Sequence, residues 1–160
     1  ASYGGLMAAL ALSKAFHSPV EAVASYDPVL HGIIFHRLVG VLSEKAAGLF
    51  RSEEQEQLHE EVIDAGLAKI YRSYLEAARR MAAEQGIDLR ITLLSGKPFE
   101  AIIRHVRKVQ PWLLVLGRVG FHSDEELDIG STSENLLRLA PCHVLLASRE
   151  AQGPVGEDVE

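Results

Sequence analysis

Apolar residues along this chain change their spacing several times, and each change marks an element. Residues 5–16 are rich in Ala and Leu and predict a helix, which His17-Ser18-Pro19 ends. VEAVASY (20–26) is short, carries Val and stops at Asp27-Pro28, as a strand does. Residues 29–50 are apolar without a single period, and a helical excursion and a partly apolar loop both stay open there. Ser52-Glu53-Glu54-Gln55 then forms a capping box, in which Ser and Gln side chains satisfy free backbone N–H groups. Behind it Ile63, Leu67, Ile70, Tyr71, Tyr74, Ala78 and Met81 recur at steps of three and four, and Gly86 closes the helix.

The second half continues the alternation. IDLRITLL (87–94) predicts a strand, and Gly96-Lys97-Pro98 opens a helix with Phe99, Ile102, Ile103, Val106 and Val109 as its apolar positions. WLLVLG (112–117) is nearly all apolar, the mark of a strand covered on both faces of a parallel sheet. A helix over 131–139 and a last strand, HVLLA (143–147), complete the pattern. Strands alternating with helices imply an α/β fold, an open, doubly wound parallel sheet with right-handed crossovers. Such a sheet normally begins with a strand, yet this pattern begins with a helix.

Composition narrows the class. With 160 residues and 17.5 kDa the chain is the size of one domain, expected over 1–149, with an acidic, disordered tail over 150–160. A net charge of −6 with no basic cluster argues against a nucleic-acid surface. No apolar run reaches the roughly 18 residues of a membrane span, and the first residues lack the basic region of a secretory signal. The single cysteine, Cys142, excludes an internal disulfide and a cysteine-rich zinc site; behind Pro141 it reads as a buried structural thiol. A cytoplasmic domain is the expectation.

The candidate chemistry lies in GRVGFHSDEELDIGSTSENLL (117–137). Gly117 directly follows the apolar strand, and ligands of open parallel sheets bind outside the carboxyl ends of the strands. Gly117 and Gly120 let backbone N–H groups approach a ligand. Gly130-Ser131-Thr132 leads into a helix start, where free N–H groups and two hydroxyls suit an anion. The spacing, Gly-x2-Gly-x9-Gly-Ser, is neither the Walker pattern nor the dinucleotide fingerprint. Ser131-Thr132-Ser133-Glu134 is also a capping box, so Ser131 could equally serve only its own helix.

This motif closely resembles that of the universal stress protein family. GRVG (117–120), GSTSENLLRLAPCHVLL (130–146) and GKPFEAII (96–103) carry the likeness, with His143 where the family usually has Pro. The resemblance covers residues 2 to about 149. It implies a nucleotide alpha-hydrolase-like, five-stranded parallel sheet and a homodimer formed through the last strand (143–147). It also implies a regulatory module that in some members binds ATP. Carried over, Gly117, Gly120, Gly130, Ser131 and Thr132 would hold phosphates and ribose, with Leu116 and Ser25 near the nucleoside. The family's first, central strand has no counterpart here. The expected reasons are missing upstream residues, membership of a longer protein, or a strand donated by a partner.

The loop between the second and third glycines departs from the family by carrying Asp124, Glu125, Glu126 and Asp128. Carboxylates close to a phosphate repel it by roughly 1 kcal/mol per pair even in high dielectric. Magnesium or manganese would reverse that sign by bridging the two, with His122 able to assist manganese. The alternative is a member that binds no nucleotide and works through dimerisation and partner contacts. The seven histidines are scattered, with His31 and His36 a weak metal pair, and surface or helix-end roles are expected for them. Arg79-Arg80 and Arg104, Arg107 and Lys108 read as solvated helix faces, and Trp112 as packing. No nucleophile, base and acid can be assembled, so any ATP hydrolysis is expected to be slow and incidental.

Overall fold

The computed structural model describes residues 3–29, 53–118 and 129–148. Its elements run α1 (Tyr3–Phe16), β1 (Val20–Tyr26), α2 (Glu53–Glu84), β2 (Leu89–Ser95), α3 (Pro98–Val109), β3 (Leu113–Gly117), α4 (Ser131–Leu139) and β4 (His143–Ala147). Every expected helix and strand among the described residues is present, and all strand pairing is parallel. Residues 30–50 of the open segment, Ser52 of the capping box and the tail lie outside the described residues.

The strands form two separate parallel pairs. β1 pairs with β2 from Val20↔Leu89 to Tyr26↔Ser95, and β3 pairs with β4 from Leu113↔His143 to Gly117↔Ala147. Helix α1 bridges them, packing on β1, β3 and β4, whereas α2 packs on β1 and β2. The core on this face is Leu10 of α1, Ala82 of α2 and Leu89 of β2, flanked by Val20, Ala22, Ala78 and Ile91. Side chains alternate across a strand, so Glu21 leaves that core for the opposite face, where α3 packs on β1 and β2 and also touches α4.

Backbone chemistry sets the helix ends. Gly86 adopts φ 73°, a left-handed conformation glycine takes without strain, and Ile87 N–H returns to the Ala82 carbonyl at 2.9 Å. The long helix thus stops where Gly86 predicts. Its buried face keeps part of the expected stripe, with Ala78 packed on the core and Leu67, Tyr71 and Met81 half-buried, and departs from it elsewhere. Leu75 and Ala82 are buried, while Ile70 and Tyr74, both expected to face the core, are 50% and 65% exposed. In α3, Ile103 and Val106 are buried as expected together with Ala101, and Val109 is exposed.

Candidate functional site

The carboxyl end of β3 is where the two ends of the glycine motif meet. Arg118 N–H donates to the Ala147 carbonyl, and Gly130 N–H donates to the Arg118 carbonyl, each at 2.9 Å. The chain therefore returns from its long loop directly onto the strand end. Ser133 then locks the junction, its Oγ donating to the Gly117 carbonyl at 2.8 Å. Gly117 and Gly130 are thereby held at one point, with Ser131 and Thr132 opening α4 beside them. Gly120 and the acidic residues 121–128 lie outside the described residues.

The helix start itself corrects one expectation. Gly130 is the N-cap and Ser131 the first helical residue, and among the described residues no side chain caps the helix. The capping-box reading of Ser131 and Glu134 does not hold: Glu134 pairs with Arg138 at 3.5 Å, and the Ser131 carbonyl accepts from Asn135 Nδ2 at 2.9 Å. The first-turn N–H groups of an α-helix have no partner within the helix, so this end carries donors that the helix itself leaves open and the positive end of its dipole. Gly130 has φ −74° and ψ 145°, a conformation open to any residue, and it is buried. The backbone does not demand glycine there, so what the position lacks is a Cβ in the space before the helix.

A second helix start converges on the same place. Gly5, in the first turn of α1, is buried against β3, where a Cβ would lie 3.5 Å from Gly117 N and 3.6 Å from the Leu116 carbonyl carbon. Leu116 is therefore walled by α1. Ser25 stands at the carboxyl end of the other pair, and its Oγ donates to the Gly96 carbonyl at 3.0 Å, tying the edges of β1 and β2 together. The structure thus gathers Leu116, Gly117, Gly130, Ser131 and Thr132 around β3 and sets Ser25 on β1. The resemblance did not indicate Ser133 or Gly5; a serine on the inner side of a first helical turn and a glycine pair in an Ala-rich helix were the available signals.

Away from this edge lies a second polar cluster. Glu21 of β1 accepts from Thr92 Oγ1 of β2 at 2.5 Å and contacts His105 Nε2 of α3 at 3.2 Å. Burial pushes the Glu21 carboxyl up, but the hydrogen bonds from Thr92 and His105, with the charges of His105 and Arg90, outweigh it and hold the carboxyl below its ordinary value. His105 thus bonds within the fold, not at a free surface. The carboxylate accepts from both neighbours, so the hydroxyl proton faces the carboxylate and not the imidazole. Cys142, expected to be buried, is only partly so; desolvation raises the pKa of its thiol against the opposing bond from the Leu114 backbone. Among the described residues no group of three His, Cys, Asp or Glu could hold a metal, and no helix is long and apolar enough to cross a membrane.

Residues 6–148 match the model of the Universal stress protein family. The chain belongs to that family. Universal stress protein YxiE of Bacillus subtilis (strain 168) is 29% identical over 145 residues, which is 89% of this chain and 92% of that protein. Among solved structures, the universal stress protein UspA from Lactobacillus plantarum superposes with a TM-score of 0.66 at 17% identity, covering 89% of this chain and 86% of its own. A universal stress protein in complex with cAMP superposes with a TM-score of 0.56 at 24% identity, covering 89% of this chain and 86% of its own. The fold of this universal stress protein is therefore the α/β fold of those neighbours.

Proposed function

We propose that this universal stress protein is a regulatory module that binds an adenine nucleotide, ATP, at the carboxyl end of β3. The observation that carries the reading is the start of α4. Among the described residues it has no side-chain cap, and it is held against the strand end by Ser133. A glycine stands before it that its own backbone conformation does not require. Open N–H donors, a helix dipole and the hydroxyls of Ser131 and Thr132 together suit phosphate oxygens. Gly117 and Gly120 let the backbone approach, while Leu116 and Ser25 are assigned to the nucleoside. A neighbour of the same fold is in complex with cAMP, itself an adenine nucleotide. Magnesium or manganese would neutralise the repulsion between the phosphates and Asp124, Glu125, Glu126 and Asp128. The module acts as a cytoplasmic homodimer through β4.

A second reading has its own observation. The four carboxylates of that loop favour a family member that binds no nucleotide and works through dimerisation and partner contacts. Titration calorimetry separates the two, with ATP, ATP plus magnesium or manganese, and cAMP as titrants. Heat that requires ATP with metal supports the first reading. Absence of heat at millimolar ATP with either metal supports the second. Gly130→Val should abolish the heat and leave dimerisation unchanged, because valine can adopt the backbone found there and only its side chain intrudes.

A further inference from the structure

Helices α3 and α4 pack against each other and leave a groove along their contact. Two cavities that share Arg107 form it. One, of about 400 Å³, lies over Phe99, Ile103 and Leu139, with Arg104 at its side. The other, of about 470 Å³, reaches Pro111 and Pro141, which lead into β3 and β4. The groove therefore runs toward the amino ends of those strands, away from Gly117 and Gly130. Its floor is apolar: Ile103 is buried, Phe99 is half-buried, and Leu139 is 51% exposed. Its rim is cationic. Arg104, Arg107 and Lys108 stand three and four residues apart on one side of α3, all exposed. Among the described residues none of the three has an ion-pair partner. Glu100, which also lines the groove, lies 3.7 Å from Lys97. The helix dipole favours Arg107 and Lys108 in the last turn of α3. It accounts neither for Arg104, one turn earlier, nor for the apolar floor beside all three.

We infer that this groove docks an acidic peptide segment of a partner protein. Carboxylates of the segment meet Arg104, Arg107 and Lys108, and an apolar side chain between them settles on Ile103 and Leu139. Charge complementarity selects the occupant. A guanidinium takes a carboxylate through two parallel hydrogen bonds, so two arginines one turn apart suit closely spaced acids. The whole chain carries a net charge of −6, so an acidic segment is repelled from most of its surface and attracted where cations gather. A nucleic-acid backbone would satisfy the cations but leave the apolar floor uncovered. The inference holds under either reading of the glycine motif, because the groove lies toward the other end of the strands. Under the second reading it gives the partner contact its chemistry.

Fluorescence anisotropy tests it, with no nucleotide in any sample. The probe is a labelled peptide, Gly-Glu-Asp-Leu-Glu-Asp-Leu-Glu-Gly, titrated with the 160-residue chain. Two further peptides replace its acids by their amides or its leucines by serine. Binding should saturate, and Arg104→Glu with Arg107→Glu should weaken it by roughly tenfold or more. Arg72→Glu with Arg80→Glu, at exposed cations of α2, should leave it unchanged. The amide peptide should not bind, and the serine peptide should bind more weakly than the leucine one. Amide resonances of the protein should shift along residues 104–110 and at Leu139. Four results would overturn the inference: no saturation at millimolar peptide, equal loss in both pairs of variants, equal binding of the leucine and serine peptides, or shifts confined to other elements. Binding that appears only after Glu150, Glu157, Asp158 and Glu160 are changed to Gln would also overturn it, by assigning the groove to this chain's own acidic segment.

Discussion

Glu21 is a charged residue at the second position of a seven-residue strand, VEAVASY, and its surroundings explain why it is tolerated there. Thr92 and His105 satisfy its two oxygens, so one carboxylate links β1, β2 and α3. Because its folded pKa is held down, ionised Glu21 contributes stability above the ordinary carboxyl value, about 4.3. That contribution disappears as pH falls through the lower folded value. Urea midpoints should therefore fall between about pH 5 and pH 3, and Glu21→Gln should flatten part of this fall. Equal pH slopes in the two proteins would count against the cluster. The alternation of the strand placed Glu21 opposite the core, but nothing in a one-dimensional pattern pairs it with His105, 84 residues later. The same limit applied to Ser131. A Ser-Thr-Ser-Glu run is compatible with a cap at its first residue or one residue earlier, and only three-dimensional geometry put Gly130 at the cap.

Helix α2 marks the boundary between what its pattern specified and what packing decided. Its existence and its end at Gly86 were legible, because a long apolar period and a left-handed glycine are local signals. Its face was not. The expected positions mix two stripes, Ile70 and Tyr74 on the first and Tyr71 and Ala78 on the second, which Leu75 and Ala82 share; the two differ by one residue, about 100° around the helix. The larger apolar side chains favour the first stripe on the page. The small Ala82, wholly buried against Leu10 and Leu89, lets the helix lie close to the strands, and that packing selects the second. Leu75→Ala should then cost about 2–5 kcal/mol of unfolding free energy. Tyr74→Ser, at an exposed ring in edge contact with Tyr71, should cost about 1 kcal/mol or less. Reversed magnitudes in denaturant titrations would restore the first stripe.

At the scale of the molecule, alternation of strands and helices gave the α/β class, and the family resemblance implied one site for Gly117 and Gly130, which the structure holds together. The division into two strand pairs is a matter of long-range pairing, which no local period encodes. The homodimer proposed through β4 predicts a sedimentation mass of twice the 17.5 kDa chain; a monomer at tens of micromolar would contradict it. The nucleotide site is the central claim, and it makes a residue-specific demand. Amide resonances should be followed while ATP and magnesium are titrated into the protein. The account predicts saturable shifts concentrated at Gly117 and at Gly130 through Ser133, absent in Gly130→Val. Saturable shifts confined elsewhere on the fold, or none at millimolar ATP with magnesium, would contradict it.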